Sequence, residues 1–153
     1  MSSPNTSIVA ERVELARRGA NPAVIARMPS GWLVMCDKQV VQGQLILLAD
    51  PVVLSLNDLD AGARAAFLFD MALAGDALLA ATGCERVNYE ILGNTDPALH
   101  AHIIPRYANE PEARRRMPIW FYDWQAAEDF SPQTHGALMR DLAAALDRQG
   151  KKT

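Results

Sequence analysis

Apolar and polar positions run along the chain with two periods. From Ser7 to Arg18 the apolar residues Ile8, Val9, Val13, Leu15 and Ala16 recur at roughly helical spacing, with charged Glu11, Arg12, Glu14, Arg17 and Arg18 between them. This predicts a short amphipathic helix that ends near Gly19 and Asn21-Pro22. Ala23 to Arg27 reads as a short strand and Pro29-Ser30-Gly31 as a turn. Trp32 to Cys36 and Gln44 to Ala49 are apolar enough for buried strands, the second closed by Asp50-Pro51. The polar connection 37–43 between them ends on Gly43, so the pair is expected to form an antiparallel hairpin. Ser55 and Asp58 have the spacing of a capping box, and a long helix is predicted from about Asp58 to Ala81, stopping at Thr82-Gly83. Ala and Leu favour that helix, and Phe67, Met71, Ala74 and Leu78 fall on one stripe expected to face the core. Glu85 to Leu92 and Leu99 to Tyr107 follow as strands. Residues 108–124 mix charge with aromatics and have no clear period. A last helix is predicted from Ser131-Pro132 to about Arg148. The polar residues 1–6 and the Lys-rich end are expected to fray. Strands grouped around one long helix predict an α+β domain on an antiparallel sheet.

Composition narrows the class. A chain of 153 residues, 50% apolar and 22% charged, fits a single domain over 1–153 that buries a core without disulfides or a structural metal. A net charge of -3 argues against a nucleic acid partner, although a local site for a small anion stays open. Cys36 and Cys84 show no paired spacing and are expected to be reduced thiols. The N-terminus shows no charged and then apolar leader, and Arg64, Asp70 and Asp76 interrupt the longest apolar stretches. No membrane partner is therefore expected, and the expected location is the cytoplasm.

The chemistry concentrates at two of the three histidines, His100 and His102, within Leu99-His100-Ala101-His102-Ile103-Ile104. Strand residues alternate faces, so both imidazoles should lie on one face with Ile104, while Leu99, Ala101 and Ile103 enter the core. The turn Leu92-Gly93-Asn94-Thr95-Asp96-Pro97 just before them can offer backbone N–H groups, the Asn94 amide and the Thr95 hydroxyl to an anion. One neutral imidazole can attack phosphorus while the other holds a non-bridging oxygen. On residue types alone two other readings stay open: a His-x-His pair of metal ligands, or two hydrogen-bonded structural histidines. The third histidine, His135, lies in the last helix and is read as surface or packing.

The run Asn88 to Arg106, ending in His100-Ala101-His102-Ile103-Ile104-Pro105-Arg106, resembles the histidine triad (HIT) family, whose motif alternates three histidines with apolar residues. Anchored on Ile-Ile-Pro-Arg, His102 is the third histidine, His100 the middle one, and Ala98 stands where the first would be. The resemblance covers about residues 20–107, with 108–153 as a variable C-terminal segment. It implies an HIT-like α+β fold with one long central helix and flanking N- and C-terminal helices. It also implies a nucleotide hydrolase or transferase acting at an α-phosphate, resembling the diadenosine polyphosphate hydrolase branch. The implied substrate is a dinucleoside polyphosphate or a nucleotide phosphoramidate.

By the same resemblance His100 is the nucleophile that carries a nucleotidyl intermediate, and His102 contacts the phosphate. Gly93, Asn94 and Thr95 form the phosphate turn, and Asn88 is a further phosphate-binding amide. No metal or other cofactor is implied, and a homodimer through sheet and long helix is. The ribose-binding position falls on Cys36 with Asp37 beside it; Asp37 has the chemistry to hold two hydroxyls, and is otherwise an exposed turn carboxylate. Ala98 offers no side-chain hydrogen bond to the middle histidine, so a water or a carbonyl must replace it. The alternative activity is nucleotide binding or sensing with weak or no turnover. Arg114, Arg115 and Arg116 beside Trp120, Phe121, Tyr122 and Trp124 are expected either to touch phosphate and base or to anchor the C-terminal segment.

Overall fold

The computed structural model describes residues 7–150, so the expected fraying of 1–6 and of the Lys-rich end lies outside the described residues. The first helix, α1, spans Ile8–Arg17 and begins where the Ser7 side chain accepts from the Ala10 N–H. Strands β1 (Val24–Met28), β2 (Gly31–Met35), β4 (Leu45–Ala49), β5 (Arg86–Glu90) and β6 (His100–Arg106) form one sheet of five in the order β1-β2-β4-β6-β5. Every neighbouring pair is antiparallel, including the expected β2–β4 pair.

Helix α2, Ala61–Thr82, covers one face of this sheet with Phe67, Met71, Ala74 and Leu78 buried, as its stripe predicts. It stops at Gly83, whose φ of +67° is the left-handed conformation a glycine adopts without strain. Its start differs from expectation. Asp60, not Ser55, caps it by accepting from Ala63 N–H, because Leu59 is extended and separates the helix from a single 3-10 turn at Leu56–Asp58. By length and apolar content α2 is also long enough to cross a bilayer. In the fold its buried face lies on the sheet, and Asp70 accepts from the Ser30 backbone and hydroxyl.

Helix α4, Pro132–Gly150, packs beside α2, and His135 is fully buried there, stacked on Phe130. Among the described residues the stretch 108–124 contains only the short α3 (Glu112–Arg115) and a 3-10 turn at Ile119–Phe121. One pairing has no counterpart in the sequence reading. Residues Lys38–Gln39 (β3), inside the expected polar connection, pair with Glu128–Asp129 (β7), and Lys38 forms an ion pair with Asp129. This ribbon ties the C-terminal segment to the end of β2. Trp120 and Trp124 of that segment, together with α1, line the sheet face that carries the histidines, while α4 stays beside α2.

Candidate functional site

Register places the site. His102 pairs with Ile46 on β4 and with Glu90 on β5, and His100 pairs with Leu48. Directly paired residues share a face, so His100, His102, Ile46 and Glu90 all point away from α2. Ala101 and Ile103 are fully buried on the other face, as the alternation predicts.

The turn before β6 needs Gly93, whose φ is +77°. Asp96 then organises three elements at once. Its carboxylate accepts from the Ala98 N–H at 3.1 Å, the Ser7 hydroxyl at 2.7 Å and the Val9 N–H at 3.0 Å. Burial alone would push the Asp96 carboxyl up. The Val9, Ser7 and Ala98 hydrogen bonds and the nearby His100 outweigh it and hold the group below the ordinary carboxylate value. The start of α1 is thereby fastened to the loop that leads into His100.

His100 Nδ1 lies 2.7 Å from the Ala98 carbonyl oxygen. A carbonyl only accepts, so Nδ1 carries the proton, and in the neutral form of the ring the lone pair lies at Nε2. The residue that lacks an imidazole side chain thus supports its neighbour through its backbone. His102 stands with its ring centroid 5.2 Å from that of His100, nearly edge-on. It is 8% exposed, and its Nδ1 has no hydrogen-bond partner among the described residues. Burial, and then repulsion from the neighbouring His100 ring when that is protonated, push its pKa down to about 4, so this imidazole is neutral at pH 7.

The two rings open into a cavity of about 520 Å³ that runs across the sheet. At its β2 end stand Cys36, Asp37 and Lys38 with Ile8, Val9 and Arg12 of α1, and Ile46 lies between them and the histidines. Burial pushes the Cys36 thiol up, so it contributes an apolar wall rather than a thiolate. At the other end Trp120 meets His102 edge-on at 5.1 Å and lies parallel to Trp124 at 4.7 Å. The Trp120 indole N–H donates to the Glu90 carboxylate.

Gly93, Asn94 and Thr95 line this cavity with His100 and His102, so the structure brings these five predicted residues together. Asp37 also lines it, although its carboxylate pairs with the Arg12 guanidinium. Asn88 does not. Its side-chain oxygen accepts from Arg106 Nη1 at 3.0 Å, and it lines a separate cleft with Arg86, Arg115 and Arg116. The expected Arg/aromatic segment divides. The backbone carbonyls of Arg114 and Arg115 accept from Arg106, while Trp120 and Trp124 reach the histidines. Sequence reasoning missed Ile8, Val9 and Arg12 as wall residues: the helical period identifies α1 but not what it covers. Among the described residues no group of three His, Cys, Asp or Glu side chains converges as a metal site. What the arrangement supplies is one oriented nucleophilic nitrogen, one neutral imidazole and a turn of hydrogen-bond donors around a space large enough for a small ligand.

No family model matches the sequence, and no curated protein does. Solved structures do. A histidine triad (HIT) protein from Sinorhizobium meliloti 1021 is 24% identical, with a TM-score of 0.69 over 95% of this chain and 98% of that one. A hypothetical histidine triad nucleotide-binding protein from Sulfolobus tokodaii strain 7 is 12% identical, with a TM-score of 0.73 over 93% and 95%. A zinc-bound histidine triad family protein from Mycobacterium smegmatis is 15% identical, with a TM-score of 0.67 over 94% and 97%. At these identities the likeness is one of fold: the chain has the HIT fold over nearly its whole length.

Proposed function

We propose that this protein binds a nucleotide and cleaves it at the α-phosphate through a nucleotidyl intermediate on His100. The observation that carries the reading is the Nδ1 bond from His100 to the Ala98 carbonyl, which leaves Nε2 free at a cavity edged by Gly93, Asn94 and Thr95. In the first step the Nε2 lone pair attacks phosphorus, the N–P bond forms, and the bond to the leaving group breaks. The leaving group departs with the electron pair and takes up a proton. In the second step a water oxygen attacks phosphorus and loses a proton, the N–P bond breaks, and its electron pair returns to Nε2. His102, neutral at pH 7, does not ion-pair with the ground-state phosphate and can donate to a non-bridging oxygen as charge builds there. Ile8, Val9 and Ile46 suit the apolar faces of a nucleoside, with Asp37 at the rim for the ribose hydroxyls. No metal or other cofactor enters this scheme. Candidate substrates are dinucleoside polyphosphates and nucleotide phosphoramidates.

A second copy is proposed on α2 and β5. Leu68, Phe69 and Leu79 are exposed on α2, and Tyr89 is exposed on the edge strand β5. The competing reading, nucleotide binding without turnover, draws on Ala98, which supplies no imidazole. Product analysis separates the two. Wild type should release nucleoside monophosphate, and His100→Ala should bind nucleotide without consuming it. Turnover at the wild-type rate by His100→Ala would remove His100 as nucleophile; nucleotide bound intact by wild type would favour sensing.

A further inference from the structure

A second cleft, of about 400 Å³, adjoins the histidine cavity along β5. Arg86, Asn88 and Glu90 are alternate residues of that strand, so all three point to the histidine face, while Tyr89 turns its hydroxyl toward Gly75 of α2. Arg115 and Arg116, at the end of α3, complete the charged lining. Arg106 builds the cleft rather than lending it a free charge. Its Nε and Nη2 reach Glu110, and its Nη1 donates to the Asn88 side-chain oxygen and the Met117 carbonyl. Nη2 also donates to the carbonyls of Arg114 and Arg115. The backbone of 114–117 is thereby fixed beside β5, and the Asn88 amide N–H groups are left to donate. Arg86, Arg115 and Arg116 have no ion pair among the described residues, and the side chains of Arg86 and Arg116 no hydrogen bond. The one carboxylate of the lining, Glu90, stands at the end nearest His102 and accepts from Trp120.

We propose that this cleft binds a compact diphosphate anion at a site separate from the histidine cavity. Three guanidiniums without a counter-charge, gathered on a chain of net charge -3, repel one another unless an anion lies between them. Each presents a planar fork that matches phosphate oxygens in pairs, and the Asn88 amide adds a neutral donor. Two linked phosphates supply charge and oxygens for all three forks, whereas a single phosphate leaves part of the cluster unpaired. Register sets the site apart from the histidines. Glu90 pairs with His102 and Arg86 with Arg106, four residues further along the strand, or roughly 13 Å. Glu90 repels an anion at the near end, so the ligand settles toward Arg86. The inference stands on the arginines and does not rest on the nucleotide-cleaving reading.

The test is isothermal titration of the full chain with pyrophosphate. Pyrophosphate should bind roughly tenfold tighter than inorganic phosphate, the scale of one added charge-assisted hydrogen bond. Arg86→Gln and Arg115→Gln, both at exposed positions, should each weaken it roughly tenfold. Arg18→Gln makes the same change of charge at an exposed position beyond α1 and should leave the affinity unchanged. AMP should not displace pyrophosphate. If ADP does not displace it either, the ligand is a free anion; displacement by ADP but not by AMP identifies a diphosphate carried on a larger molecule. Displacement by AMP would put the anion in the histidine cavity and overturn the inference. Absence of binding, or an equal loss in Arg18→Gln and Arg86→Gln, would overturn it too, the second by reducing the effect to bulk charge. So would a short oligodeoxynucleotide that binds through Arg86 and Arg115 more tightly than pyrophosphate.

Discussion

Burial of His102 makes a prediction about stability that can be worked through in numbers. The imidazole pKa falls from 6.5 to about 4 in the folded protein, chiefly because burial penalises its charged form. Between those values the unfolded chain takes up a proton that the folded chain refuses. Stability is therefore complete above about pH 6.5 and drains away as pH falls toward about 4. At 1.36 kcal/mol per pH unit the full fall corresponds to about 3 kcal/mol, of which about 2 is lost between about pH 7 and about pH 4.5. His102 is only 8% exposed, so solvent screening removes little of this. The perturbation is His102→Gln, a polar side chain of similar length that does not titrate. Urea unfolding of wild type and variant across that range measures the difference, and the carboxylates common to both cancel. Wild type should lose about 2 kcal/mol more than the variant on acidification. Parallel pH dependences would refute the argument and mean that His102 is charged or solvated in the fold.

Three other outcomes follow from the geometry. Ala98→His should not raise turnover, because the Ala98 carbonyl already holds His100 Nδ1, and at a site only 2% exposed the larger ring should cost about 1–3 kcal/mol in unfolding free energy. A faster enzyme of unchanged stability would contradict this. Asp96→Ala should lose about 1–2 kcal/mol by leaving the Val9 N–H at the start of α1 without its acceptor, and should weaken nucleotide binding as well, since the same carboxylate positions Ala98; an isothermal titration with unchanged affinity would separate the two roles. Phe69→Glu together with Leu68→Glu should convert the proposed dimer to monomer in analytical ultracentrifugation, and an unchanged mass would place the interface elsewhere.

The residues that sequence reading located well are those governed by local period. The alternation in β6 assigns His100 and His102 to one face and Ala101 and Ile103 to the core, because a strand residue's face depends only on its parity. The stripe on α2 follows from helical geometry in the same way. What was illegible depends on contacts far apart in sequence. Asn88 shares the histidine face in register with Ile104, but Arg106 holds its side chain, and the donors of Arg106 are fixed by Glu110 and by carbonyls of 114–117. Trp120 meets His102 in a segment tied to the sheet by the β3–β7 ribbon, two residues on each side that leave no periodic trace. The start of α2 shows a finer limit. Ser55 and Asp60 both have cap chemistry, and the extended Leu59 between them decides for Asp60. The support for His100, expected from a water or a carbonyl, comes from the Ala98 carbonyl; a backbone carbonyl is present at every residue, so which one serves becomes visible only in three dimensions.

The central claim, a covalent nucleotide on His100, is tested most directly by rapid-quench intact-protein mass spectrometry. Wild type and His100→Ala are mixed with adenosine phosphoramidate and, separately, with diadenosine tetraphosphate, and quenched within the first turnover. An adenylyl adduct on wild type alone, mapped to the peptide carrying His100 and decaying as AMP appears, is the predicted result. AMP released at the wild-type rate with no adduct at any quench time, or the same adduct on His100→Ala, would contradict it.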